Sequence, residues 1–300
     1  MSSKNFRASI ILGWVTGFIA LISSGMGLFW HPTSNSFSFI TLYGQTVEIY
    51  GQGLYQYDTF FKAPLLRGTD AVILFLALPL LALALIWARG GNLRGRVFLS
   101  GVLSFFVYNA TSLAFGVAYN ALFLLYLIYF PVSLFALITA CLSIDITELD
   151  AHISSQFPSR LTAIFLIIVG CSVFIWLFII IGAILKGEVP EGIDSFATEV
   201  TYFLDLGLIA PTAFLSAIYL FRRQPAGYFL AALILTLNAM VGPVVFAQAV
   251  MQYLAGVEVS IGEQVVFVGT FLLTSLVSAV LLMNLLRNIE PLPMNKKQAV

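Results

Sequence analysis

Eight apolar runs, each about as long as a membrane-crossing helix, are the feature that most restricts the fold of this chain. A helix needs roughly 20 predominantly apolar residues to cross the hydrocarbon core of a bilayer. Runs of this kind lie at residues 8–30, 70–88, 97–117, 120–143, 161–185, 198–221, 227–252 and 264–287. The sequence therefore predicts an all-α membrane protein, a polytopic bundle of about eight transmembrane helices that forms a single integral membrane domain over residues 1–300.

Composition agrees with a protein whose surface faces lipid. Hydrophobic residues make up 60% of the chain and charged residues 9%, whereas a soluble domain carries about 25% charged residues. The net charge of zero argues against a nucleic-acid partner, which would require clustered lysine and arginine. The expected partner is the lipid bilayer of the cell membrane. We found no catalytic, nucleotide-binding or metal-binding motif, so no cofactor or metal is predicted and an enzyme is the least favoured class.

The placement of lysine and arginine predicts the orientation, because these residues are enriched in cytoplasmic loops. With a cytoplasmic N-terminus, the cytoplasmic segments carry Lys4, Arg7, Arg89, Arg94, Arg96, Arg160, Arg222, Arg223, Arg287, Lys296 and Lys297. The opposite side carries Lys62, Arg67 and Lys186. A seven-span alternative, with one of the third and fourth runs omitted, weakens this bias. We therefore predict eight spans, with both termini in the cytoplasm.

The first apolar run resembles the start of a signal peptide, since Lys4 and Arg7 precede it. The run is too long for a signal peptide and no A-x-A-like cleavage site follows, so we interpret it as a retained signal anchor. Gly13, Gly17 and Ser24 give this helix a face of small residues. Such a face allows close helix packing, either inside the bundle or between protomers of an oligomer.

Residues 31–69 form the longest stretch between predicted spans. Apolar and polar residues alternate in it and glycines separate the alternating runs, which predicts two or three short β-strands in an extracytoplasmic hairpin or meander. One interpretation is a structural cap with an interfacial aromatic belt, and the other is a recognition surface for an extracytoplasmic ligand. The charged candidates for that surface are Glu48, Asp58, Arg67 and Asp70. Asp70 begins the second apolar run, where we expect it to stabilise a helix N-terminus.

Asp205 is the ionisable residue placed most firmly inside a predicted span. Such residues are costly in lipid and often mark functional sites. Pro211 follows and removes a backbone donor, so the helix is expected to kink beside the acid, as in many ion or substrate sites of transporters. Alternatively, Asp205 joins helices by hydrogen bonds. The polar residues predicted to share its site or to bond it are Asn109, Asn238, Tyr108 and Tyr202.

The chain also shows a loose internal similarity. If it is divided into residues 1–155 and 156–300, each half has four spans that begin on the cytoplasmic side. Residues 70–89 align loosely with residues 205–222, since each has an aspartate, then a proline and then an arginine. Four spans per half would make a parallel repeat, related by an axis along the membrane normal. The alternative is chance similarity between apolar helices.

The run YGQGLYQYD, followed by RGTDA at residues 67–71, resembles a block found in an uncharacterised family of prokaryotic polytopic membrane proteins. The resemblance implies a prokaryotic membrane protein and no particular activity. Two functional hypotheses remain open from the residues. The first is a small-solute transporter or permease-like protein with an outward-facing polar site at Asp205. The second is a sensor or accessory subunit that binds a ligand or partner through residues 31–69.

Overall fold

A bundle of long helices makes up most of the protein. The computed structural model describes residues 2–32, 35–190, 192–194, 196–258 and 260–289. The α-helices are α1 (Ser2–Phe29), α2 (Lys62–Val72), α3 (Leu78–Arg89), α4 (Leu93–Gly116), α5 (Phe123–Leu142), α6 (Ile146–His152), α7 (Ser159–Ser172), α8 (Ile175–Lys186), α9 (Val200–Leu204), α10 (Ala210–Phe221), α11 (Pro225–Ala255) and α12 (Ile261–Arg287). Two π-helices, Ile73–Ala77 and Asp205–Ile209, join α2 to α3 and α9 to α10.

The predicted helical bundle is confirmed. Within the described residues, eight helical stretches are long and apolar enough to cross a membrane. They are Lys4–Phe29, Lys62–Arg89, Leu93–Gly116, Phe123–Leu142, Ser159–Lys186, Val200–Phe221, Pro225–Ala255 and Gln264–Arg287. Each overlaps one of the apolar runs. Lys296 and Lys297, which we assigned to the cytoplasmic side, lie outside the described residues.

The second long helix begins earlier than its apolar run, so the predicted position of Asp70 at a helix N-terminus is wrong. The helix starts at Lys62, and the backbone N–H groups of Lys62 and Ala63 donate to the Thr59 carbonyl. Pro64 lies in the first turn, where a missing N–H costs little. Hydropathy placed the start too late because residues 62–69 are helical without being apolar.

A two-stranded hairpin follows α1. Strands β1 (Ser38–Ile40) and β2 (Thr46–Glu48) are antiparallel, with Phe39 opposite Val47. Gly44 in the connecting turn has a φ of +77°, a left-handed conformation that glycine adopts without strain. A third strand of the predicted meander is reduced, in the part of the chain described, to a single bridge between Ile49 and Thr59.

We call residues 35–61 the cap segment, because they cover one end of the bundle. Ile49, Leu54 and Tyr55 of this segment are buried. Asp58 accepts a hydrogen bond from the backbone N–H of Ala118 (3.0 Å), and Thr59 donates to Asp194 (3.0 Å). The α4–α5 and α8–α9 connections therefore meet the cap segment at the same end, which we call the cap end.

The buried apolar side chains form two clusters. One consists of residues from α1 to α5 and the cap segment, together with Met240 of α11. The other consists of residues 144–289, together with Val97 of α4. The core is thus divided along the chain close to residue 142.

The small-residue face of α1 packs inside the bundle. A Cβ atom on Gly13 would lie 2.8 Å from the Cδ2 atom of Leu85, and one on Gly17 would lie 3.2 Å from that of Leu81. Both leucines belong to α3. This face therefore packs against α3 within the chain.

Candidate functional site

Asp205 is the first residue of the second π-helix and connects three helical segments. Its Oδ1 atom accepts a hydrogen bond from the Tyr108 hydroxyl of α4 (3.0 Å). Its Oδ2 atom accepts one from the Trp176 indole N–H of α8 (2.8 Å). The side chain is only partly buried. A carboxylate in an apolar bundle is thus stabilised by two donors from neighbouring helices.

Pro211 stands directly after a local widening of this helix. Proline has no N–H and cannot donate to the Gly207 carbonyl one turn earlier. The Ala210 N–H, directly before Pro211, donates to the Asp205 carbonyl, five residues back. Such π-helical turns are frequent at functional sites. Here the turn begins at the acidic residue itself.

Aromatic residues enclose Asp205 on one side. The rings of Trp176 and Tyr202 are 5.5 Å apart and tilted by 40°. Glu199 lies close enough to Asp205 to interact with it electrostatically, but its charge is paired with the Lys62 ammonium of α2 at 2.9 Å. The site therefore combines one carboxylate, two ring donors and a neutralised acidic neighbour.

The structure brings only part of the predicted polar group together. Tyr108 and Tyr202 lie at the Asp205 site. Asn109 instead accepts a hydrogen bond from Tyr129 of α5 (3.1 Å). Asn238 donates to Ser278 of α12 (2.8 Å). The two asparagines thus hydrogen-bond to α5 and α12 and not to Asp205.

The sequence reading missed Trp176. A tryptophan in the sequence is a weak indication of a polar site, since it is common in apolar helices and its N–H requires a partner only when it is buried. Between residues 172 and 175 the fifth span is interrupted, α7 ending at Ser172 and α8 beginning at Ile175. The tryptophan stands directly after this interruption.

Asp70 occupies a second polar site, beside the first π-helix. Its Oδ2 atom accepts a hydrogen bond from the Tyr55 hydroxyl of the cap segment (2.8 Å), and both side chains are almost fully buried. A Cβ atom on Gly27 of α1 would lie 1.9 Å from the same oxygen. Asp70 is thus enclosed between α1, α2 and the cap segment.

The charged residues predicted to form an extracytoplasmic recognition surface do not share one exposed surface. Arg67 donates to the Tyr50 hydroxyl (3.0 Å) and to the Leu28 carbonyl (3.4 Å). Asp58 and Asp70 are buried, and only Glu48 is exposed. Three of the four residues instead hold the cap segment on the bundle, because the segment docks on the helix ends.

The pKa of Asp58 is unusually high for an aspartate. Burial raises its pKa from the ordinary value of 3.8 to about 7, while the Ala118 N–H and the Lys62 ammonium oppose the rise. Its Oδ2 atom is buried and makes no hydrogen bond to any residue that the structure describes.

Two shallow cavities open at the cap end. The larger, of about 420 Å³, is lined by three carboxylate side chains, Glu48, Asp194 and Glu258, and by Phe60 and Phe61. The smaller, of about 220 Å³, lies between Tyr57 and Tyr119. Among the residues described, no group of three or more histidine, cysteine or acidic side chains is arranged to hold a metal ion.

The two interrupted helices have the same local design. The π-helices Ile73–Ala77 and Asp205–Ile209 are equally long and begin 132 residues apart (73 and 205). Pro79 and Pro211 each stand two residues after them, at the same spacing. The helices that follow, α3 and α10, have 12 residues each.

The turns after these helices match as well. Gly91 and Arg223 both have a positive φ, of 74° and 52°. Gly95 and Gly227 then begin the next helix in such close contact that a Cβ atom on either would lie 2.7 Å from a backbone nitrogen of the preceding helix. Gly91 and Arg223 are 132 residues apart, and so are Gly95 and Gly227, like the first residues of the two π-helices.

Comparison of the chain with protein-family models, with curated proteins and with solved structures gave no match.

Proposed function

We propose that this chain is a multi-pass cell-membrane protein that carries a small solute across the bilayer, with both termini in the cytoplasm. The eight apolar helices support the membrane location. The excess of lysine and arginine in alternate connections supports the orientation. On this orientation the cap end faces the outside.

The observation that carries the transport proposal is the matched pair of helix interruptions. Interrupted helices at corresponding positions of two halves are the best sequence-level indication of a transporter binding site. Here each interruption consists of a π-helix followed by a proline, and a carboxylate stands at or one turn before it. Asp205 occupies the interruption of the second half and Asp70 precedes that of the first.

Residues 1–155 and 156–300 would then be a parallel repeat, most closely matched in the second and third helix of each half. Helix α2 packs against α11, and α9 packs against α4, so each interrupted helix contacts the third long helix of the other half. Helices α4 and α11 also pack on each other. Rocking of the halves about this contact would expose a site between them alternately to the two sides.

The solute site would be the region of Asp205, Tyr108, Trp176 and Tyr202. A carboxylate beside aromatic rings is suited to a solute with a cationic or hydrogen-bond-donating group, since rings attract cations through their faces. The hydrogen bonds from Tyr108 and Trp176 occupy the carboxylate in the present conformation. Solute binding would replace one of them.

The test is transport by purified protein reconstituted into liposomes. Charge movement on a solid-supported membrane would be recorded for a panel of amines, amino acids, sugars and carboxylates. We expect one class to give a signal, and Asp205→Asn to reduce it at least tenfold. Glu148→Gln, an exposed acid of α6 outside this site and outside the cap-end cavity, is the matched control.

Thermal shift over the same panel adds a readout that does not need flux. If the wild-type protein transports no solute and is stabilised by none, and Asp205→Asn behaves in the same way, the transport proposal must be abandoned.

A second candidate function is ligand sensing at the cap end. It is favoured by the cavity of about 420 Å³, whose three carboxylates and two phenylalanines suit a cationic ligand. This candidate predicts saturable binding without flux, lost in Glu48→Gln/Glu258→Gln and retained in Asp205→Asn.

A further inference from the structure

Several buried hydroxyl groups lie close to Asp70. They belong to Ser23 and Ser24 of α1 and to Tyr126 of α5, and their side chains are at most 1% exposed. Ser24 interacts with Asp70, and Tyr126 interacts with Ser23 and Tyr55, but none of the three hydroxyls has a hydrogen bond of regular geometry to a described residue. A buried polar group without a full hydrogen bond is costly. Their grouping in one place therefore requires an explanation.

These hydroxyls face the carboxylate site. Ser24 faces Asp70, and Ser23 faces Tyr126, which also interacts with Asp70 and Tyr55. An ionised carboxylate accepts up to about four hydrogen bonds. Tyr55 supplies one. The site thus holds weakly bonded donors beside a group whose capacity to accept hydrogen bonds changes with its ionisation.

We propose that Asp70, with Tyr55, Ser23, Ser24 and Tyr126, forms a buried proton-binding site. In the protonated state Asp70 is a carboxylic acid held by Tyr55, and the other hydroxyls keep the irregular contacts seen in the structure. On release, the O–H bond breaks, its electron pair stays on Asp70 and the proton passes to bulk water. The ionised carboxylate then accepts hydrogen bonds from the neighbouring hydroxyls after small side-chain rotations.

Close packing favours a proton over a hydrated ion as the ligand. A Cβ atom on Gly27 would lie 1.9 Å from the Asp70 Oδ2 atom and 2.9 Å from the Tyr55 hydroxyl. The α1 backbone therefore closes the site on one side. A proton binds without extra volume, whereas a sodium ion would need oxygen ligands arranged around it at a fixed distance.

The charged and titratable groups around Asp70 are compatible with this role. From α2, Arg67 lies one turn away and balances the charge of the ionised state. From α5, Tyr126 and Tyr129 face the site, and from the cap segment Tyr55 does so, with Asp58 beyond it. The described neighbour on α11 is the uncharged Gln248, which packs on Gly68.

The role of this site rests on the proposed transport function, since the proton would be the ion whose movement drives solute transport. Protonation of Asp70 itself is measurable without a solute. Infrared difference spectra of the reconstituted protein would be recorded as the pH is stepped. We expect a carboxylic-acid carbonyl band that titrates in the wild type, is lost in Asp70→Asn and persists in Asp58→Asn and Asp205→Asn.

A second variant covers the possibility that Asp70→Asn does not fold. Tyr55→Phe retains the carboxylate but removes a donor, so the same band should move to higher frequency. A titrating band that is unaffected by both substitutions would overturn the proton site.

Transport measurements separate the two proposals. A solute current driven by a pH gradient in the wild type, and reduced at least tenfold in Asp70→Asn, supports coupling at Asp70. A current that depends on sodium and ignores pH would leave transport standing and refute the proton site. If the wild-type protein gives no current with any solute while its Asp70 carbonyl band still titrates, transport is refuted and the proton site stands.

Discussion

The hydroxyl of Tyr55 donates a hydrogen bond to the carboxylate of Asp70 over 2.8 Å, and both side chains are buried. Tyr55 belongs to the cap segment and Asp70 to α2, 15 residues later. This contact attaches the cap segment to a point inside the bundle. The stability of the cap end is therefore expected to depend in part on this polar pair.

Tyr55→Phe should destabilise the protein by about 1–3 kcal/mol, because it leaves a buried carboxyl oxygen without its donor. Thermal unfolding in detergent would measure the loss. Tyr57→Phe is the matched control, since Tyr57 lies in the same segment and is 52% exposed. An equal effect of the two substitutions would show that the hydrogen bond is unimportant.

Gly27→Ala should be among the most damaging single-methyl additions in α1. The added Cβ atom would lie 1.9 Å from the Asp70 Oδ2 atom, so the helix or the carboxylate must move. Gly25→Ala, with nothing within 4 Å of its Cβ position, should leave stability unchanged or slightly raised, as alanine favours helix. Limited proteolysis of the cap segment would report the displacement, and similar digestion of the two variants would count against this packing.

Asp58 should make the stability of the cap end depend on pH. Its pKa is raised from 3.8 to about 7 in the folded protein, so the folded state binds more protons than the unfolded state between these values. The contribution of Asp58 is fully present below about pH 4 and is lost as the pH rises to about 7.

Thermal unfolding from pH 4 to pH 8 would test this. Asp58→Asn should reduce the fall in stability across that window, because asparagine does not titrate. Glu48→Gln, an exposed acid of the same segment, should not. A wild-type profile that Asp58→Asn leaves unchanged would refute the assignment.

Lys62 and Glu199 should show strong energetic coupling. Their side chains are 12% and 14% exposed and 2.9 Å apart, and they join α2 to the start of α9. Removal of one partner from such a pair leaves an uncompensated charge and costs about 3–5 kcal/mol, whereas replacement of both costs less. A double-mutant cycle with Lys62→Met and Glu199→Met would measure the coupling in detergent. Strictly additive losses would indicate that the pair is insignificant.

Gly95→Ala and Gly227→Ala should be similarly disruptive if the halves are a repeat. Each added Cβ atom would lie 2.7 Å from a backbone nitrogen of the preceding helix. Gly182→Ala, whose Cβ position has no neighbour within 4 Å, is the control. Expression and melting temperature should fall for the first two variants only. A large difference between them would argue against equivalent turns.

Much of the polar arrangement could not be read from the sequence. Asp70 was expected at a helix end because residues 62–69 are not apolar, yet they continue the helix. A departure from regular α-helix beside Asp205 was predictable, since proline lacks the backbone donor at any position in any fold. The partner of Asp205 on α8, Trp176, was not predictable, because the rotation of α8 against its neighbours is set by packing.

The sequence by itself determined the number and approximate positions of the long helices and the interruption beside Pro211. These follow from local properties, the hydropathy of about 20 successive residues and the missing N–H of proline. Only the tertiary structure decided which polar groups meet. Asn109 and Asn238 bond to α5 and α12 and not to Asp205, and Asp70 is buried under Tyr55. Such pairings depend on how each helix is rotated against its neighbours, which the packing of all side chains fixes together.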